Sequence, residues 1–109
     1  MKLAEAFKTA ALIEVEAQID RLRHSLDFDN ALALPERQSR NIAICGREAQ
    51  FTLFRQLDRP HPGAVLVTAQ VARHALGGIT TLCFERGLVI VRDAPARDAT
   101  EDELSQTRD

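Results

Sequence analysis

Histidine and cysteine side chains can bind a metal ion or act in nucleophilic catalysis. There are five of them: His24, Cys45, His61, His74 and Cys83. None stands in a CxxC or HxxxH spacing, and the chain has no GxSxG, HExxH, glycine-rich phosphate loop or EF-hand sequence. Both cysteines lie in apolar contexts, IAICG and TTLCFE, where cysteine behaves as a small hydrophobic residue. We therefore expect no metal, no cofactor and no enzymatic activity.

Arginine is the other residue type that could do chemistry here, because its planar guanidinium suits paired contacts with phosphate or guanine. It supplies 12 of the 14 basic residues, a bias that a GC-rich genome would explain equally well. The formal net charge is −2. Residues 93–109 hold six acidic and two basic residues and so carry −4, which leaves +2 on residues 1–92. A weakly positive body with an acidic tail is compatible with nucleic-acid binding but does not indicate it.

The composition is that of one soluble domain. A chain of 109 residues, 45% hydrophobic and 28% charged, suits a single globular unit with a modest core. It has no run of about 18 apolar residues that could span a membrane. Charged residues interrupt the alanine-rich N-terminus, so no signal peptide is expected either. We expect a cytoplasmic protein with no membrane partner, whose cysteines are reduced.

Residues 3–26 are expected to form one long helix. Alanines favour a helix, and apolar residues recur at spacings of 3, 4, 3 and 4, as in supercoiling helices. That stripe consists of Leu12, Val15, Ile19, Leu22 and Leu26. Two interpretations stay open: the helix packs on its own domain, or it forms a homodimer through the stripe.

The chain divides into three parts on these patterns. Residues 1–27 are the N-terminal helix, a candidate for dimerisation, and residues 28–92 are the folded domain. Residues 93–109 form an acidic tail that lacks apolar periodicity, so we expect it to be disordered.

Three elements are expected in the first half of the folded domain. Turn residues predict a connector over 27–40, with room for a short strand at Ala31–Leu34. The alternation in NIAIC (41–45) predicts a strand that Gly46 ends. In REAQFTLFRQL (47–57), large apolar residues recur three apart, which predicts an amphipathic helix that supplies the core.

The second half of the domain begins with DRPHPG (58–63), which predicts a rigid turn. AVLV (64–67) predicts a short buried strand, and Thr68 is a candidate N-cap for a helix over 69–76. Two glycines then end that helix. For residues 79–93, β-branched residues favour a hairpin with strands Thr80–Phe84 and Val89–Arg92; a helix over Thr80–Arg86 followed by a strand is the alternative.

The segments CGRE, FTLFRQL, HPGAVLV, TAQVARHAL and GG follow one another in the middle of the chain. Their order resembles winged helix-turn-helix domains of the response-regulator output type, over residues 40–92. The resemblance implies an α+β fold: a long N-terminal helix followed by a small winged-helix-like domain with a short β-sheet. Residues 79–93 would then have to supply both the recognition helix and the wing, and they look too short for both.

The resemblance also implies which side chains would contact DNA. Those on the helix at 69–76, the following segment and the wing are Thr68, Gln70, Arg73, His74, Thr80, Thr81, Arg86 and Arg92. The same residues are equally typical of a solvated surface. Two functions stay open: a dimeric DNA-binding transcriptional regulator whose partner is double-stranded DNA, or an adaptor or regulatory protein-interaction module with a winged-helix-like core and no DNA binding.

Overall fold

The computed structural model describes the backbone of residues 3–75 and 80–106 and the side chains of residues 5–73 and 82–105. The elements follow in the order α1 (Leu3–Ser25), α2 (Phe28–Ala33), β1 (Arg37–Ile44), β2 (Arg47–Leu57), β3 (Ala64–Ala75), β4 (Thr80–Val91), β5 (Arg97–Asp98) and α3 (Glu101–Gln106). The five strands form one antiparallel sheet whose spatial order is the chain order, β1-β2-β3-β4-β5.

The long N-terminal helix is confirmed as α1. Its apolar stripe packs on the chain's own sheet, where Val15 is 0% and Ile19 is 3% exposed, and Leu12, Leu22 and Leu26 pack partly buried against the same core. Full burial of one such side chain contributes about 1.5–3 kcal/mol. A dimer that used this stripe would have to open the core. The structure therefore corrects the expected dimerisation stripe in favour of the first interpretation.

A tight hairpin joins β1 to β2. Cys45 (φ 52°) and Gly46 (φ 71°) form its two-residue turn, and positive φ at both positions is the type I′ geometry that matches the twist of the flanking strands. The strand expected at 41–45 is therefore present, but it begins at Arg37. That start lies inside the segment expected to be a connector.

The helix expected over 47–57 is wrong, because this segment is the strand β2. Phe51 and Leu53 are buried on one face of the sheet beside Val71 and Ala69, whereas Thr52 and Phe54 lie on the other face. Phe51 and Phe54, three residues apart, fit one face of a helix, but Phe51 and Leu53, two apart, fit one face of a strand. The segment is a strand because it pairs with β1 on one side and with β3 on the other.

The helix expected over 69–76 is also wrong. The strand predicted for 64–67 continues through Ala75 as β3, so Thr68 is no helix cap: it lies mid-strand and is 6% exposed. Neither expectation for 79–93 holds, since β4 runs unbroken from Thr80 to Val91 and Gly87 lies opposite Thr68. The predicted α+β fold with a winged-helix-like domain is therefore wrong, because both helices that would build that domain are strands.

The sheet has two different faces. The helix face carries Phe51, Val67 and Leu88 and is covered by α1 and α2. The opposite face, which we call the open face, carries Thr52 and Thr68, and of the described helices α3 alone packs on it.

The acidic tail is not disordered over residues 97–106, which corrects that expectation. Leu104 on α3 packs on Leu66 and Val89 of the open face and is 6% exposed. Thr100 and Glu103 form a capping box: the Glu103 N–H donates to Thr100 Oγ1 (3.1 Å), and the Thr100 N–H donates to Glu103 Oε1 (2.9 Å).

Candidate interaction edge

The structure scatters the side chains expected to contact DNA. Thr68 and Gln70 lie on the open face, whereas Arg73 and Arg86 lie on the helix face. The Arg73 guanidinium is 5.4 Å from the centre of the Phe7 ring, and Arg86 Nε is 3.7 Å from Glu16 Oε1. These four residues therefore share no surface that could follow a DNA groove.

Of the four remaining expected contacts, Arg92 has a side chain in the described part of the structure. Arg92 is 4.5 Å from the centre of the Phe28 ring and 3.6 Å from Asp29 Oδ1, so it is tied to α2. His74, Thr80 and Thr81 lie on the β3–β4 hairpin, where His74 is opposite Thr81, and their side chains fall outside the described part of the structure.

Charge is divided between the two edges of the sheet. Residues 37–47, which comprise β1 and its turn into β2, contain three arginines and no acidic residue. At the other edge, residues 93–106 contain five acidic residues and one arginine, a net −4. A chain with a small overall charge thus has one basic and one acidic edge.

β1 forms the basic edge, and it is exposed. Only Ile44 among its eight residues is buried. Within the described part of the chain no strand pairs with the side of β1 that faces away from β2, which we call its outer edge. Arg55 holds the start of β1: its N–H donates to the Glu36 carbonyl (2.9 Å) and its guanidinium to the Leu32 carbonyl (2.7 Å).

The register shows which backbone groups the outer edge presents. The Arg55 N–H to Glu36 carbonyl bond marks residues 36 and 55 as a hydrogen-bonded pair. Such pairs alternate with non-bonded ones along an antiparallel ladder, so residues 38, 40, 42 and 44 bond to β2. The N–H and C=O groups that point outward belong to Arg37, Ser39, Asn41 and Ala43. This row of donors and acceptors could accept another strand.

The arginines of β1 lie back over β2. The Arg37 guanidinium is 5.7 Å from the centre of the Phe54 ring on the open face, and the Arg40 guanidinium is 5.1 Å from the centre of the Phe51 ring on the helix face. Each contact contributes about 0.5–1 kcal/mol at an exposed site. Both guanidinium groups are therefore held over β2, set back from the outer edge of β1, and leave the backbone groups of that edge uncovered.

Two neighbouring contacts shape this edge. On the open face, the Ser39 and Thr52 hydroxyls are 2.9 Å apart and join β1 to β2. On the helix face, a shallow groove separates β1 from α1 and is lined by Gln18, Arg21 and Arg40. Polar and basic side chains thus lie on both faces of this edge.

The described residues offer little for catalysis or metal binding. They contain no group of three histidine, cysteine or acidic side chains that could hold a metal ion. Cys45 and Cys83 are both exposed thiols, and the Cys45 thiol is 3.7 Å from the Ala6 carbonyl. Among the described residues, Glu103 has a large pKa shift: its pKa falls to about 2 because its carboxylate accepts hydrogen bonds from Arg97 and from the Thr100 N–H.

Comparison with protein-family models, with curated proteins and with solved structures finds no match to this chain. No helix in the described ranges is long and apolar enough to cross a membrane.

Sequence reasoning missed β1 as a site, because its first residues were assigned to a connector. Two signals were available. One is the run of three arginines without an acid over residues 37–47. The other is Cys45-Gly46, a two-residue turn ending in glycine between alternating segments, which is typical of a hairpin.

Proposed function

We propose that this chain is a protein-interaction module that binds an extended segment of a partner protein as an added strand beside β1. The observation that carries the proposal is the outer edge of β1, where four residues present their N–H and C=O groups outward. Strand addition at an exposed edge is an established mode of peptide recognition, in which main-chain hydrogen bonds supply the affinity.

The composition of β1 supports this use. Edge strands are usually blocked by charged side chains, above all lysine, by proline, by a bulge or by a covering element. β1 contains no lysine and no proline, and all eight of its residues pair with β2 in one continuous register. Its two arginines lie over Phe51 and Phe54 rather than across the edge.

The opposite edge is less suited to the same role. β5 pairs with β4 at Leu88 and Val89, and the Ala99 N–H donates to the Gly87 carbonyl (2.8 Å). α3 then packs beside this edge. Part of the outer side of β4 therefore already has a neighbour, whereas the outer edge of β1 has none within the described ranges.

The expected affinity is modest. Four outward residues offer up to eight main-chain hydrogen bonds, and each contributes about 0.5–1.5 kcal/mol net. Ordering a flexible segment opposes this gain, so we expect dissociation constants that are roughly micromolar.

The test is selection from a displayed library of random octapeptides, with two variants at one position. Asn41→Pro removes an outward N–H and places a ring in the path of an incoming strand, but leaves the bonds between β1 and β2 in place. Asn41→Ala is the matched control, because it keeps the N–H. We expect selected peptides to bind Asn41→Pro at least about tenfold more weakly than wild type, and Asn41→Ala nearly as well.

The folded state of both variants is checked by circular dichroism and thermal unfolding. If the library yields no peptide whose binding Asn41→Pro weakens, the proposal is wrong.

A further inference from the structure

We infer that the segment taken up by β1 carries two acidic side chains three residues apart, one on each face of the enlarged sheet. This inference rests on the proposed function and adds the chemistry of the partner. It follows from the positions of Arg37 and Arg40 on the edge strand.

The spacing comes from the alternation of a strand. Arg37 lies on the open face beside Phe54, and Arg40 lies on the helix face beside Phe51. An added strand would place its own side chains alternately on the same two faces, about 4.5–5.5 Å from those directly opposite when it runs antiparallel. Its residues beside Arg37 and Arg40 are therefore three positions apart, whichever way the segment runs.

Nearby acids do not cancel this positive charge. Glu36 lies at the start of β1, and its carboxylate faces Arg55 at 3.8 Å. Glu48 lies on β2 opposite Ala43, one strand away from the outer edge. Among the described residues, no carboxylate forms an ion pair with Arg37 or Arg40. An incoming carboxylate would meet Arg37 and Arg40 without an acid of this chain beside it on β1.

A second copy of this chain fits the edge less well. Pairing β1 with β1 of another copy would bring two strands with two arginines each against one another, and like charges across strands are destabilising. The acidic edge of another copy is partly neutralised already, because Asp98 pairs with Arg23 and Glu103 pairs with Arg97. A separate protein with an acidic extended segment is therefore the occupant that we propose.

Nucleic acid would also be attracted to arginine, but it does not match the backbone of the edge. Each outward residue presents a C=O acceptor beside its N–H donor. A phosphate chain could use the donors but would leave the carbonyl oxygens unpaired and facing negative charge. A peptide satisfies both.

The experiment sequences the octapeptides selected by wild type, Arg37→Gln, Arg40→Gln and Arg59→Gln. Arg59 lies in the turn between β2 and β3 and is the matched control for loss of one positive charge. With wild type and Arg59→Gln, we expect acidic pairs three residues apart to be enriched about fivefold over the unselected library. With Arg37→Gln or Arg40→Gln, acidic pairs at this spacing should be about as frequent as in the unselected library.

A second measurement uses the most enriched peptide and its counterpart with glutamine or asparagine for the two acids. Fluorescence anisotropy should show about five- to tenfold tighter binding of the acidic peptide at low salt, narrowing to about twofold near 0.5 M NaCl. Equal binding of the two peptides, or acids enriched at no fixed spacing, overturns the inference.

The outcomes separate the two proposals. If Asn41→Pro weakens binding but the acids make no difference, only the charge inference fails. If Asn41→Pro has no effect on either peptide, strand addition itself fails. Tighter binding of a single-stranded or duplex DNA oligonucleotide than of the acidic peptide at the same salt overturns both. Concentration-dependent self-association abolished by Arg40→Gln would identify a second copy as the occupant and also overturn the inference.

Discussion

Substitution of Gly87 by alanine should destabilise the wild-type protein but stabilise a variant that lacks the Leu104 side chain. Gly87 lies mid-strand on β4, and a Cβ added there would stand 2.9 Å from Leu104 Cδ2 and 3.1 Å from Ala99 Cβ. Its φ is not in the left-handed region, so alanine meets no backbone strain. The effect of the substitution therefore depends on whether Leu104 and Ala99 can make room for the added methyl group.

Two opposing effects set the magnitude. Alanine has less conformational freedom than glycine in the unfolded chain, which stabilises the fold by about 0.4–1 kcal/mol. Against this, adding a methyl group to a well-packed contact costs about 1–3 kcal/mol. Leu104 can turn away only by giving up its burial, since it is 6% exposed against Leu66 and Val89. We expect Gly87→Ala to destabilise the wild type by about 1 kcal/mol net.

The Leu104→Ala variant removes the obstructing atom. In that background Gly87→Ala should stabilise the protein by about 0.5 kcal/mol, so the sign reverses. Both steps are read from urea unfolding followed by far-UV circular dichroism, with the slope on denaturant concentration checked for constancy.

Equal stabilisation by Gly87→Ala in both backgrounds would refute the reasoning, because it would show that α3 does not press on Gly87. Equal destabilisation in both would place the obstruction at Ala99 rather than at Leu104.

Three further predictions follow from the same structure. The Glu103 pKa is lowered from its usual 4.5 to about 2, so the stability it provides is full above about pH 4.5 and is lost as the pH falls through 2; wild type should lose its advantage over Glu103→Gln in melting temperature across that range. Cys45→Asn should stabilise the protein by about 0.5–1 kcal/mol in urea unfolding, since asparagine tolerates positive φ better than cysteine does, and a less stable variant would contradict the turn assignment. Val15→Asp should lower the free energy of unfolding by at least about 3 kcal/mol and unfold the chain, because Val15 is fully buried. The control Ile13→Asp, at a position that is 62% exposed, should change it by less than about 0.5 kcal/mol. A Val15→Asp protein that stays folded but elutes at half the size of the wild type would show instead that the stripe forms a dimer.

The sequence predicted α1 well because that helix satisfies a strong periodic pattern without help from distant residues. Its apolar residues recur at spacings of 3 and 4 from Leu12 to Leu26. Any sheet or helix that offered an apolar face would bury them. The sequence could not show whether the stripe packs on its own domain or on a second copy of the chain, because an apolar stripe of this kind can be buried against either.

The strands β2 and β3 could not be predicted in the same way. Phe51 and Phe54 fit one helical face, yet Phe51 and Leu53 also fit one face of a strand, so the local pattern is ambiguous. In β3, alanines and Gln70 are compatible with a helix, while Val65, Val67 and Val71 favour a strand. Each segment is a strand because it pairs with a neighbouring strand on both sides. That pairing joins residues far apart in the chain, so the local sequence pattern does not reveal it.

The winged-helix interpretation failed for a related reason. Glycine and proline mark where elements end, and those boundaries near Gly46 and residues 58–63 were located correctly. They do not say whether the element between them is a helix or a strand. A meander of hairpins and a winged helix can share the same order of breaks.

α3 was missed although its sequence carries a recognised signal. Thr100-Glu101-Asp102-Glu103 has the threonine and glutamate spacing of a capping box, and Leu104 follows it. The density of acids suggested a solvated tail instead. One leucine was enough to dock the helix, because the glycine opposite it on β4 leaves room for its side chain.

The candidate site was the hardest part to see, because the outer edge of β1 is produced by pairing and not by side-chain pattern. Arg37, Ser39 and Asn41 are exposed polar residues, so the start of β1 lacks the alternation of apolar and polar residues that predicts a strand. Their backbone groups become an ordered row only when residues 38, 40, 42 and 44 bond to β2. The same pairing sets Arg37 and Arg40 on opposite faces, where Phe54 and Phe51 hold their guanidinium groups. In the proposed mode of binding, a partner that paired with the row of amides but lacked acids would lose only the contribution of Arg37 and Arg40. An acidic partner that could not extend would leave the row unused. We therefore expect the tightest binding at β1 from a segment that has both features.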